Sequence, residues 1–178
     1  MLLNYLLLLD NYNKLINKKS NLNKNADDSM QLETSAGIVI YNSGHYLLLN
    51  YGRSRITENR YGLTKGRIEG KETVIQAALR EAFEETGIED ISVLEEFQHK
   101  ITYYFTRGSH KIKKTVIYLI GISSTTEVKI SKEHIGFLWC TYEEALKTLT
   151  FENTRRVIRA AERYLRENEL AKEPSEGN

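Results

Sequence analysis

Residues 66 to 88 read GRIEGKETVIQAALREAFEETGI. Within them, Thr73 to Thr86 carries apolar side chains at Ile75, Leu79, Ala82 and Phe83, the spacing of one face of an α-helix, and Gly87 is suited to ending it. At 100° per residue, Glu81, Glu84 and Glu85 fall within an arc of about 100°, roughly opposite that apolar set. The helix is therefore expected to pack on one face and present carboxylates on the other. Glu81 with Glu84 and Glu81 with Glu85 are like-charge pairs at i+3 and i+4, each costing a few tenths of a kcal/mol in an isolated helix. A bound cation relieves that repulsion. Hard oxygen ligands on a rigid element suit Mg²⁺, with water and substrate phosphate completing its octahedron; a solvated acidic face paired with Lys and Arg is the alternative. Glu72, at the mouth of the helix, suits its positive end. Arg80 flanks the acidic face, where pairing with a carboxylate would hold the ligand geometry.

Upstream, Ser35 to Tyr41 and Tyr46 to Tyr51 are apolar runs separated by Asn42, Ser43 and Gly44, which predicts a strand, a turn and a strand. Gly52 to Lys71 carries turn residues and the cations Arg53, Arg55, Arg60, Lys65, Arg67 and Lys71, and is expected to be a basic loop. Downstream, Ile91 to Phe105, Lys114 to Ile122 and Gly136 to Thr141 are rich in β-branched and aromatic residues and read as strands, with a turn at Gly108 and Ser109. Tyr142 to Leu149 and Phe151 to Asn168 have amphipathic helical spacing. The order implies a mixed β-sheet with helices packed against it, an α+β or α/β/α sandwich.

The chain of 178 residues, 40% of them hydrophobic, is enough for one domain, placed at residues 30 to 170. Residues 1 to 29 form an Asn- and Lys-rich appendage with too little to bury; with Met30 just before the first strand, they are expected to be disordered or the product of a mis-assigned start. Residues 171 to 178 are expected to fray. The formal charge of +1 provides no bulk field for DNA or an anionic membrane, so any polyanion must be held locally. The apolar run Met1 to Leu9 is too short to span a bilayer. The lone Cys140 excludes an intrachain disulfide framework and a cysteine-based zinc site, fits a reducing cytoplasmic setting, and reads as a core thiol.

The same stretch resembles the Nudix box: a glycine, a glutamate six positions on, Arg-Glu eight further, then Glu-Glu and a closing glycine. Gly66, Glu72, Arg80, Glu81, Glu84, Glu85 and Gly87 meet every single-residue position, and Ala82 replaces a bulkier aliphatic. A chance match is on the order of 10⁻⁸ per window. The resemblance implies a Mg²⁺-dependent hydrolase of a phosphoanhydride, with Mn²⁺ able to substitute. It makes Glu81, Glu84 and Glu85 metal ligands, puts Gly66 at the metal site, and makes Glu72 and Arg80 supporting residues. Glu81 is one candidate general base.

A weaker resemblance over residues 35 to 168 is to the asymmetrical diadenosine tetraphosphate hydrolases within that family. It rests on AGIVIY at Ala36 to Tyr41, Lys65-Gly66, KTVIY at Lys114 to Tyr118, SKEH at Ser131 to His134 and FLWCTYEEAL leading to Phe151. It implies that Glu133 is a further ligand or the general base, that Tyr103 stacks an adenine with Phe151 as a second aromatic wall, and that Lys65, Lys114 and Arg67 contact phosphate. Tyr104 and Tyr118 read as sheet or core residues. The sequence departs from the pattern before the box, where Tyr61 to Arg67 lacks the usual prolines and Arg67 replaces a histidine. The alternatives are a broader nucleoside triphosphate or RNA 5′-end pyrophosphohydrolase, and a non-catalytic nucleotide-binding module.

Overall fold

A computed structural model describes residues 30–53 and 57–171 of the chain. The expected appendage at 1–29, Arg55 of the basic loop, and residues 172–178 of the tail lie outside them. Seven strands and three helices are described: β1 (Gln31–Asn42), β2 (His45–Asn50), β3 (Tyr61–Gly62), β4 (Thr64–Arg67), α1 (Val74–Thr86), β5 (Ser92–Arg107), β6 (His110–Ile122), β7 (Gly136–Cys140), α2 (Tyr142–Thr148) and α3 (Glu152–Glu167).

The strands form one mixed sheet in the order β3-β2-β1-β6-β5, with β4 added to β1 and β7 to β2. β1 and β6 run parallel from Gln31↔Ile112 to Tyr41↔Ile122, while every other pairing is antiparallel. Because side chains alternate along a strand, β1 feeds two cores. Ala36, Ile38 and Ile40 meet Ala77, Ala78 and Ala82 of α1, while Val39 and Tyr41 meet Val157, Ile158, Ala161 and Leu165 of α3. Each large aliphatic buried there stabilises the fold by about 1.5–3 kcal/mol. The result is the α/β/α sandwich read from the element order.

The basic loop differs from the expectation. It contains β3 and β4, and β4 pairs with β1 through Ser35↔Arg67, Ala36↔Gly66, Gly37↔Lys65 and Ile38↔Thr64. Gly62, Lys65 and Gly66 are poor strand formers, so this pairing is imposed by the open edge of β1 and not by local propensity. The rotation of α1 also differs. Its buried residues are Ala77, Ala78, Ala82, Glu85 and Thr86, whereas Phe83 is 50% exposed. The three alanines let the helix lie close to the sheet, which turns Ile75 and Leu79 to the margin and brings Glu85 inward. Thr73 caps the helix rather than belonging to it: its side chain accepts from Gln76 N, and Gln76 accepts from Thr73 N. Gly87 ends α1 in the left-handed region at φ 70, its N–H bonded to Phe83 O at 2.8 Å.

Candidate active site and metal centre

The site lies where α1 crosses β4. A Cβ placed on Gly66 would stand 1.7 Å from Glu81 Cδ and within 2.0 Å of both its oxygens, so the Glu81 carboxyl occupies the space of the missing side chain. Any larger residue at 66 displaces it. Arg80 then ties the acidic residues together. Its Nε donates to Glu72 Oε1 at 2.7 Å and Nη2 to Glu72 Oε2 at 3.0 Å, a bidentate pair, while Nη1 donates to Glu81 Oε1 at 2.8 Å and Glu84 Oε2 at 3.2 Å. Nη2 also reaches the Arg67 carbonyl at 2.9 Å. Glu72 therefore serves Arg80 and the Glu69 N–H, not the helix end. The Arg80 bonds, then the Glu69 N–H, hold its carboxyl at about 2.

Glu85 is only 6% exposed. Burial pushes its carboxyl up to about 8 against the opposing pull of the Lys65 charge and N–H, and Glu81 and Glu133 add to the rise. Its Oε2 accepts from Lys65 N at 3.2 Å, and its Oε1 lies 3.8 Å from His134 Nε2, a buried nitrogen with no hydrogen-bond partner. His134 Nδ1 meets Ser131 Oγ at 3.0 Å, and its ring stands edge-on to Tyr51 at 4.5 Å. Lys65 Nζ donates to Tyr51 OH at 3.0 Å and sits over that ring at 4.4 Å. Burial holds its ammonium below the usual lysine range although Glu85 pulls it upward.

The SKEH segment hangs from the end of α1. Lys129 N donates to Thr86 O at 2.8 Å and Ser131 N to Glu85 O at 3.2 Å, which sets Glu133, exposed, beside the buried Glu85. On the sheet face opposite α1, Glu33, Lys114 and Tyr103 form one cross-strand row. Glu33 Oε1 accepts from Arg67 Nη2 at 2.9 Å and Arg107 Nη1 at 2.7 Å, and Lys114 Nζ is 4.0 Å from Oε2. Burial raises the Glu33 carboxyl, but the Arg107 hydrogen bond and the three positive charges outweigh it and hold the group below its usual value.

The structure thus brings Glu72, Arg80, Glu81, Glu84, Glu85, Gly66 and Lys65 together, and puts Arg67, Lys114 and Tyr103 around Glu33. Phe151 stands apart at the start of α3, 47% exposed, with no ring contact to Tyr103, whose aromatic neighbour is Phe105 at 6.0 Å. Tyr118 is buried, whereas Tyr104 is 66% exposed because it alternates with Tyr103 onto the outer face. Glu33, Tyr51, Arg107 and the buried His134 were not singled out by sequence reasoning. Glu33 lies far in sequence from all three of its cations, and no local spacing signals it.

A NUDIX domain model matches residues 31–161. The chain belongs to the Nudix family. Over 105 residues it is 32% identical to the asymmetrical bis(5'-nucleosyl)-tetraphosphatase of Rattus norvegicus, covering 57% of this chain and 69% of that protein. The Caenorhabditis elegans protein of the same name is 28% identical over 137 residues, covering 74% and 95%. The crystal structure of a C. elegans Ap4A hydrolase binary complex has the same fold, with a TM-score of 0.62, 23% identity and coverage of 76% of this chain and 98% of that one. As a Nudix hydrolase, the protein is an enzyme acting on acid anhydrides in phosphorus-containing compounds.

Nudix hydrolases use divalent cations, and the donor set here suits one. Among the described residues no three His, Cys, Asp or Glu side chains are already closed around a common point; Arg80 Nη1 instead lies between Glu81 and Glu84. The acids themselves are hard oxygen donors. Glu81 lies in the cradle left by Gly66, and Glu85 is buried with a carboxyl raised for want of a closer positive charge. A divalent cation supplies that charge. Among the described residues no helix is long and apolar enough to cross a membrane.

Proposed function

We propose that this chain cleaves dinucleoside tetraphosphates asymmetrically, converting diadenosine tetraphosphate to ATP and AMP with Mg²⁺, for which Mn²⁺ can substitute. The observation that carries the reading is the pairing of two charged surfaces across β4: the box carboxylates on one side, and the row of Lys65, Arg67, Lys114 and Tyr103 on the other. The resemblance to the named tetraphosphatases supports the choice of substrate.

Glu81, Glu84 and Glu85, with the Gly66 backbone, would hold the ion. When bound, it neutralises phosphate oxygens and lowers the pKa of a water. Glu133, exposed and free to reach outward, takes the proton from the attacking water, with Glu81 the other candidate base. Arg80 and Glu72 keep Glu81 and Glu84 in position. Lys65, Lys114 and Arg67 hold phosphate oxygens, and the half-buried Lys65 ammonium does so in a medium where charge pairing is stronger than in water. Tyr103 offers its ring face to the adenine, and Phe151 a second wall.

The test is product analysis by ion-exchange chromatography. The full chain with Mg²⁺ is incubated with diadenosine tetraphosphate, nucleoside triphosphates and triphosphorylated RNA. Equimolar ATP and AMP from the first, with the others slow, is the expected result. Faster hydrolysis of a triphosphate or an RNA 5′ end would replace the substrate, and no hydrolysis of any would leave a nucleotide-binding module.

A further inference from the structure

The cluster around Glu33 is built from three strands and a hairpin tip, and its charges do not balance. Arg67 on β4, Arg107 at the end of β5 and Lys114 on β6 face a single carboxylate. Both arginines donate to the same oxygen, Glu33 Oε1, which holds two like charges close together. Each guanidinium spends one nitrogen on that bond and keeps further N–H donors free to point outward. Arg107 is also stacked on Phe105, 5.4 Å from the ring centroid, which fixes its plane.

An independent observation lies beside it. Ser35 follows Glu33 along the same face of β1 and pairs with Arg67 on one side and Val116 on the other. It is 0% exposed, and its hydroxyl has no hydrogen-bond partner. A buried hydroxyl is normally paired, and one left open beside a cation cluster is available to an entering acceptor. A cavity of about 610 Å³ opens here, lined by Gln31, Leu32, Glu33, Thr34, Arg67 and Ile68.

The cluster is continuous with the box. The Arg67 carbonyl accepts from Arg80 while its side chain bonds Glu33. Burial lowers the Lys114 ammonium, Glu33 and Glu81 both raise it, and it therefore senses both clusters. Glu33 lies two residues beyond the level of Arg67, about 7 Å further along the strand direction.

We propose that Arg67, Arg107, Lys114 and the Ser35 hydroxyl form a second anion subsite that takes a phosphate remote from the scissile bond, with Glu33 as the internal counter-charge that keeps the cations assembled. The proposal rests on the nucleotide-polyphosphate reading above and refines it: the subsite favours substrates with longer phosphate chains. The chemistry recognised is that of a polyphosphate, whether it ends in nucleosides or is free.

The test uses isothermal titration of the full chain with inorganic tetraphosphate in EDTA, followed by turnover of diadenosine tetraphosphate with Mg²⁺. Arg107→Ala is expected to weaken tetraphosphate binding about tenfold, the worth of one charge-assisted hydrogen bond. Ser35→Ala is expected to weaken it by a few-fold. Lys113→Ala removes the same charge from the opposite face of β6 and is expected to change binding by less than about twofold. In turnover, Arg107→Ala raises KM for diadenosine tetraphosphate by a similar factor and leaves kcat in place. An equal loss in Lys113→Ala and Arg107→Ala would reduce the effect to general charge and overturn the subsite. So would an Arg107→Ala protein that melts earlier but binds tetraphosphate normally, or one that loses inorganic binding with KM unchanged. If the wild-type chain binds tetraphosphate through Arg107 yet hydrolyses no nucleotide, the function reading fails while the anion site stands.

Discussion

Two charge clusters on either side of β4 are inverted copies of one another. In one, a single cation, Arg80, is surrounded by the carboxylates Glu72, Glu81 and Glu84. In the other, a single carboxylate, Glu33, is surrounded by Arg67, Arg107 and Lys114. Each is ordered from its centre, and each keeps an excess of the outer charge. The pair contrasts with Glu162, a buried carboxylate that accepts from Tyr46 OH and Arg166 Nε and pins α3 to β2. There the partners balance the group; at the two clusters they do not. A structural ion network closes its own charge, whereas a site leaves charge for what it binds: cations on the acidic side, phosphate on the basic side.

Four substitutions or titrations bear on the acidic half of that contrast. The largest effect is expected from Glu84→Gln. Glu84 is exposed, so the fold should keep its stability to within about 0.5 kcal/mol, while kcat for the metal-dependent reaction falls about a thousandfold. Steady-state kinetics beside thermal melting reads both, and unchanged turnover would remove Glu84 from the metal site. Gly66→Ala comes next. Its methyl would overlap the Glu81 carboxyl, and a displacement of about 1 Å costs about a hundredfold in rate. Full activity with an intact circular dichroism spectrum would show that Glu81 works elsewhere.

Arg80→Lys keeps the charge but loses the forked contact to Glu72 and one of the links to Glu81 and Glu84. A loss of about 1 kcal/mol in urea denaturation is expected, and no loss would demote Arg80 from organiser to bystander. The smallest effect is a pH dependence. The folded Glu72 carboxyl sits at about 2 against a model value of 4.5. A folded value below the unfolded one means stability that is present above 4.5 and lost as pH falls toward 2. The stability gap between wild type and Glu72→Gln should therefore be complete at neutral pH and close across that acid window. A gap independent of pH would mean that the Glu72–Arg80 pair contributes through packing alone.

The acidic cluster was legible because all its members except Gly66 lie on or next to one helix, where spacing in sequence is spacing in space. The rotation of that helix was not. Ile75, Leu79 and Phe83 are the largest apolar residues and mark the expected buried face, but Ala77, Ala78 and Ala82 pack closer and win the contact. The sandwich was legible from the alternation of strand-like and helical runs. The parallel register of β1 with β6 was not, because no local signal specifies which residues of two distant strands meet. That register brings Glu33 beside Lys114, so the basic cluster stayed hidden even though Arg67 and Lys114 were both singled out.

The two hydrogen bonds from Lys129 and Ser131 to the last carbonyls of α1 close the chain into a circuit that leaves the helix after Thr86 and returns to it. Within this circuit β5 and β6 run out to the tip at Gly108 and Ser109 and back. The hairpin can therefore lengthen or shorten at its tip without changing the distance between Glu85 and the loop bearing Glu133, since that distance is set where the circuit closes. Reaction chemistry and reach toward the substrate are in this way separately adjustable: one belongs to the base of the excursion, the other to its far end.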